Sequence, residues 1–99
     1  MIDFTKITEF DWDEGNVRKN DKHGVSTAEA EQVFFNEPLL VTDDTKHSQG
    51  ECRFHALVKT IEERTLHITF TLPNAGERIR LISARDMQKK ERKIYEQTT

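Results

Sequence analysis

The strongest constraint on the fold is a series of three segments in which apolar and polar side chains alternate. Phe54, Ala56 and Val58 alternate with Arg53, His55 and Lys59; Leu66, Ile68 and Phe70 with His67, Thr69 and Thr71; Ile79 and Leu81 with Arg78 and Arg80. A period of two puts every second side chain on the same side of a strand, so each segment predicts one apolar face and one polar face. The connections Glu62-Glu63-Arg64 and Pro73-Asn74-Ala75-Gly76 are short and turn-like, which favours antiparallel neighbours over parallel crossovers. A short further strand is allowed at Leu39–Thr42, and Glu9-Phe10-Asp11-Trp12 reads as a brief first strand or an extended lead-in.

Helical signals flank these strands. Asp13 can cap a mostly solvated helix over 14–23, whose one clear apolar residue is Val17, with Gly24 placed to end it in a left-handed conformation. Ser26-Thr27-Ala28-Glu29 has capping-box spacing and opens a second helix, whose Ala30, Val33 and Phe34 face the core until Asn36 and Pro38 stop it. Ser83-Ala84-Arg85-Asp86 repeats the capping pattern and predicts a final helix to about Gln97, with Met87 and Ile94 as a thin inner stripe. Such a helix would lie across a sheet edge or depend partly on a partner. The expectation is an α+β fold, an antiparallel sheet packed on one face by N-terminal helices.

A chain of 99 residues has room for one modest core, so residues 1–99 read as a single domain. Apolar and charged shares are nearly equal at 34% and 33%, and only the periodic grouping of the apolar residues separates the chain from a disordered one. No stretch approaches a membrane-spanning length, and Met1-Ile2-Asp3-Phe4-Thr5-Lys6 lacks the basic start and apolar core of a signal peptide. A cytoplasmic location without membrane contact is expected. The single cysteine, Cys52, leaves no internal disulfide and no pair for a zinc ribbon. The net charge of −3 hides a division of sign: residues 1–51 carry 5 Lys+Arg against 12 Asp+Glu, and residues 52–99 carry 10 against 6. A polyanion would therefore meet the C-terminal half.

If the apolar strand faces cover the second helix, the opposite face gathers Arg53, His55, Lys59, His67, Arg78 and Arg80, with Arg85 just beyond the last strand. Guanidinium groups bind phosphate through paired hydrogen bonds, so RNA is a fitting ligand. The same alternation also describes an ordinary solvated sheet face. His47-Ser48-Gln49-Gly50-Glu51-Cys52-Arg53 places an imidazole, a carboxylate and a guanidinium in one loop-to-strand segment. RNA cleavage by the 2′-hydroxyl needs a base, positive charge around the phosphorus and an acid for the leaving oxygen. Glu51 or His47 can exchange protons while Arg53 and Arg80 hold phosphate; equally, His47 and Glu51 can brace the loop. His23, His47, His55 and His67 share no paired zinc spacing, which weighs against a catalytic metal. A Gly-rich phosphate loop, a nucleophile elbow and a dinucleotide fingerprint are all missing, which removes kinases, esterases and dehydrogenases.

Taken in order, Phe10-Asp11-Trp12-Asp13, Asn20, Lys22-His23-Gly24-Val25-Ser26, Glu29-Ala30, Val33-Phe34-Phe35, His47-Ser48, Glu51, Arg53, Lys59-Thr60, Phe70-Thr71, Arg78-Ile79-Arg80-Leu81-Ile82-Ser83-Ala84-Arg85, Glu91-Arg92 and Tyr95-Glu96 resemble the BrnT family signature. The resemblance implies a RelE-like toxin that cleaves RNA without a bound cofactor and halts translation. It also implies a BrnA-type ribbon-helix-helix antitoxin, a hetero-oligomer with it, and operator DNA contact only through that partner. Carried onto matching positions, it points to Lys22, His23, His47, Glu51, Arg53, Lys59, Arg80 and Arg85 as functional. By their own chemistry, His47, Glu51, Arg53, Arg80 and Arg85 are read as catalytic, and Lys22, His23 and Lys59, with Arg78 beside them, as RNA-binding. Lys22 and His23 would serve equally as C-terminal caps of the first helix.

Two positions depart from the pattern. Asn16 stands where many relatives have lysine, and Leu72-Pro73-Asn74 where they have an arginine after the Phe-Thr pair. The second departure keeps open a different class of function, a catalytically decayed scaffold acting as corepressor with its antitoxin. A stand-alone nucleic-acid-binding protein fits less well, given the net acidity and the absence of an Arg-rich recognition helix.

Overall fold

The computed structural model describes residues 6–12, 24–46, 52–73 and 78–97. They form β1 (Glu9–Asp11), α1 (Thr27–Gln32), a 3-10 turn (Val33–Phe35), β2 (Leu40–Asp43), β3 (Cys52–Lys59), β4 (Thr65–Leu72), β5 (Arg78–Asp86) and α2 (Lys89–Gln97). The helix expected over 14–23, and most of the turn expected at 73–76, lie outside the described residues.

The strands make one sheet in the order β1-β5-β4-β3-β2. From β2 to β5 every pairing is antiparallel, as the short connections favour for β3, β4 and β5. β1, however, runs parallel to β5, with Phe10 opposite Ile79 and Asp11 opposite Arg80, so the sheet is mixed rather than antiparallel throughout. A tight loop forces reversal only on consecutive strands. β1 and β5 are separated by about two thirds of the chain, and no local turn sets their relative direction.

Residues paired across the sheet share a face, and the alternation sorts them as expected. Ala56, Val58, Leu66, Ile68, Phe70, Ile79, Leu81 and Ala84 are buried on one side with Val25, Ala30, Val33 and Phe34. α1 is oriented for this by its cap, in which Ser26 Oγ accepts from the Glu29 amide at 3.1 Å. The helix then tightens into the 3-10 turn, and Asn36 ends it in extended conformation. Phe34 is the joint between layers, with its ring 5.8 Å from that of Phe10 and 5.1 Å from that of Phe70. Gly24, at φ +72°, takes the left-handed conformation expected of it, and its carbonyl accepts from Arg64 Nη1 at 2.6 Å.

A one-residue bulge decides what β5 presents. Phe70 pairs with Leu81 and Thr69 with Ser83, so Ile82 is extra and the face assignment changes parity beyond it. Ala84 therefore turns into the core beside Ile68, and Arg85 turns to the opposite face beside His67. Residues 83–86 are strand, not the start of a helix as their capping pattern predicted. Pairing with β4 satisfies their backbone, and the burial of Ala84 favours the sheet.

The final helix begins at Lys89 instead, capped where the Gln88 amide donates to Glu91 Oε1 at 2.8 Å. The later start rotates its inner face. Met87 is buried but precedes the helix, Ile94 is 47% exposed, and Tyr95 at 1% is the inner contact. Its hydroxyl donates to the Pro38 carbonyl at 2.7 Å. α2 lies against the sheet's second face, where Glu91 meets Arg85 and His67. Among the described residues no helix is long and apolar enough to cross a membrane.

Candidate functional site

The second face is built in rows set by strand register. One row runs Asp11, Arg80, Thr71, Arg53 across β1, β5, β4 and β3; the next runs Ser83, Thr69, His55, Thr42; a third runs Arg85, His67, Leu57, Leu40. With strands spaced by about 4.8 Å, Arg53 and Arg80 flank Thr71 with their backbones about 10 Å apart. Thr71 is only 7% exposed, and its Oγ1 makes no hydrogen bond within the described residues. A buried hydroxyl left without a partner costs free energy, and this one lies between two guanidinium-bearing positions.

The alternation foretold a cationic face, but carboxylates come to meet its arginines. Arg78 donates from Nε to Glu9 at 3.0 Å and lies 3.4 Å from Asp11. Arg80 is 3.6 Å from the same Asp11 oxygen, Arg53 is 3.8 Å from Asp44, and Arg85 forms a two-pronged pair with Glu91 at 2.8 and 3.0 Å. The face is a mesh of ion pairs. Partly exposed pairs of this kind contribute little, under about 1 kcal/mol each, so a polyanion can compete for the arginines.

Asp44 organises the β3 edge of the mesh. Its Oδ2 sits 2.9 Å from His55 Nε2, and His55 Nδ1 sits 2.9 Å from Thr69 Oγ1. Both imidazole nitrogens are thus engaged, one by a carboxylate and one by a hydroxyl. The His67 ring lies 5.0 Å from that of His55. Burial, reinforced by Arg85, holds the His67 imidazole below the usual histidine value, while Glu91, 3.7 Å away, pulls in the other direction. The Arg85 hydrogen bonds keep the Glu91 carboxyl below its ordinary range despite partial burial.

Of the residues singled out from the sequence, the structure brings Arg53, Arg78 and Arg80 to one end of this face. Arg85 lies within β5, not beyond it, two rows from Arg80 and engaged with α2. Lys59 is at the far end of β3, about 20 Å along the strand from Arg53, where it borders a shallow depression with Phe35, Asn36 and Ile61. Lys22, His23, His47 and Glu51 lie outside the described residues. Thr71, read from the alternation as a polar-side residue among the arginines, stands between Arg53 and Arg80. Sequence reasoning missed Asp11, Asp44 and Glu91 as members of the face. Asp11 fell on the polar side of its strand, so parity was a signal for it; Asp44 and Glu91 arrive from a loop and a helix, with none. Among the described residues no three His, Cys, Asp or Glu side chains converge to hold a metal.

Fold and face define a class: a small α+β protein with an arginine-bearing sheet face, chemically suited to phosphate oxygens. The family model for the BrnT ribonuclease toxin of type II toxin–antitoxin systems matches residues 12–91, and the chain belongs to that family. Membership of a type II system implies an antitoxin as partner. No curated protein matches the chain.

Proposed function

We propose that the protein is a toxin that cleaves RNA endonucleolytically without a metal, using the end of the sheet face around Arg53, Thr71 and Arg80. The observation that carries this reading is the buried Thr71 hydroxyl, unpartnered among the described residues, between two arginine positions. The RNA phosphate takes that place, accepting from the hydroxyl and from both guanidiniums. The 2′-oxygen attacks phosphorus, the bond to the 5′-oxygen breaks, and the strand ends as a 2′,3′-cyclic phosphate and a 5′-hydroxyl. Arg53 and Arg80 stabilise the charge that gathers at phosphorus, a role fitted to groups that stay protonated. Glu51 and His47 exchange the protons, Arg85 adds positive charge, and Lys22, His23, Lys59 and Arg78 guide the strand. In this reading residues 1–99 work as one RelE-like domain in the cytoplasm, held inactive by a BrnA-type ribbon-helix-helix antitoxin that also carries the operator contact.

A second reading draws on the carboxylates that meet the arginines: the face is a neutralised scaffold, and the protein serves as corepressor with its antitoxin. Induced expression separates the two. Wild type is expected to arrest growth and leave new 5′-hydroxyl RNA ends, and Arg80→Ala and Glu51→Ala to abolish both, by a factor of about a hundred or more in cleavage rate. Healthy cells with intact RNA and folded wild-type protein would overturn the ribonuclease reading and favour the scaffold.

A further inference from the structure

Asp11 is a carboxylate of this face that touches two arginines. Its Oδ2 is 3.4 Å from Arg78 Nη1 and 3.6 Å from Arg80 Nη2, and its side chain is about one-third exposed. It is there because β1 runs parallel to β5 with Asp11 in register with Arg80. On the far side of Thr71, Asp44 stands in the same relation to Arg53 at 3.8 Å. The Thr71 hydroxyl, unpartnered among the described residues, thus lies between two arginines, each already facing a carboxylate of the same chain.

We infer that Asp11 is a specificity-determining residue: an internal competitor that a phosphate must displace from Arg80 and Arg78 before it can sit on Thr71. The inference rests on the proposed RNA site and adds how that site selects its ligand. A lone phosphate exchanges one anion for another and gains little. A strand of RNA presents successive phosphates to Arg53, Arg80 and Arg78 together, so the polymer outcompetes the carboxylate where a single anion does not. Displacement also shapes the salt response. Phosphate binding releases cations from RNA, while the displaced Asp11 carboxylate takes up a cation, and the two partly cancel.

The test is binding of a short fluorescent RNA single strand with every 2′-hydroxyl methylated to prevent cleavage, followed by anisotropy across a salt series. Wild type, Asp11→Asn, Asp11→Ser and Arg80→Ala are compared, with unfolding curves to confirm that each is folded. Both Asp11 variants are expected to bind roughly three- to tenfold more tightly, the range set by losing one or two weak ion pairs. Their dependence of log affinity on log salt should steepen by up to about one ion. Arg80→Ala should weaken binding. If Asp11→Asn and Asp11→Ser bind no better than wild type, or worse, while Arg80→Ala weakens binding, Asp11 is an organiser of the arginines and the inference fails. If Arg80→Ala binds like wild type, the RNA site itself is misplaced and the inference falls with it.

Discussion

His67 sits where burial and the Arg85 guanidinium act together against its protonation while Glu91 favours it. Its side chain is 12% exposed, its Nδ1 has no hydrogen bond within the described residues, and Arg85 lies in register beside it. Burial and that guanidinium make the folded imidazole a weaker base than the unfolded one. As pH falls below about 6.5, the unfolded chain takes up the proton first, so stability present at neutral pH is lost on acidification. Glu91, whose folded carboxyl is held low, acts in the same direction but only below about pH 4.5. Urea unfolding at pH 7.5 and 5.5 therefore isolates the histidines. His67→Gln should lose less stability over that interval than wild type; an equal loss would show that His67 contributes nothing to the pH dependence. Of this neighbourhood the sequence disclosed only that His67 falls on the polar side of β4. Its neighbour Glu91 comes from α2, whose start the local pattern set at Ser83.

At the scale of elements, α2 shows how one buried ring, beside the Glu91–Arg85 pair, can seat a short helix. Lys89–Gln97 carries many charges and buries only Tyr95 among its residues. That ring fills space against the sheet's second face while its hydroxyl reaches the carbonyl of Pro38. Burial raises the hydroxyl's pKa, so it stays protonated as a donor. Tyr95→Phe should cost about 1–2 kcal/mol by leaving the Pro38 carbonyl unmet, and Tyr95→Ala about 3–5 kcal/mol by also removing the ring. Amide exchange along α2 should quicken more in Tyr95→Ala than in Tyr95→Phe, since losing the ring releases the helix. Comparable exchange in both variants would show that the hydroxyl, not the ring, holds the element. The bulge at Ile82 is the other element-scale decision, for without it Arg85 would point into the core and Glu91 would have no guanidinium to bind.

Across the whole molecule, the layers are joined through aromatic rings. Phe34 connects the helical layer to the central strand through Phe70 and to the edge strand through Phe10, and Phe54 stacks on Phe70 at 5.5 Å. Phe34→Ala removes the shared member, and its expected cost is about 3–5 kcal/mol. For a chain of this size that lowers the melting temperature by more than about 10 °C. A drop of only a few degrees in a thermal scan would mean that the layers are held mainly by their aliphatic contacts.

Much of this architecture was legible in short stretches of sequence. The alternation of β3, β4 and the first half of β5, the Ser26 cap, the burial of Ala30, Val33 and Phe34, and the left-handed Gly24 each depend on a few neighbouring residues. The alternation also placed Arg53, Arg78 and Arg80 on one face. What only the tertiary structure decided lies in pairings between distant parts of the chain. These are the parallel entry of β1, the parity change at Ile82, the true start of α2, and the carboxylates of Asp11, Asp44 and Glu91 that meet the arginines. Periodicity and capping are local chemistry, readable wherever they occur. Register, strand direction and long-range ion pairs depend on which distant segments share a surface, and that is settled when the whole sheet and its helices pack together.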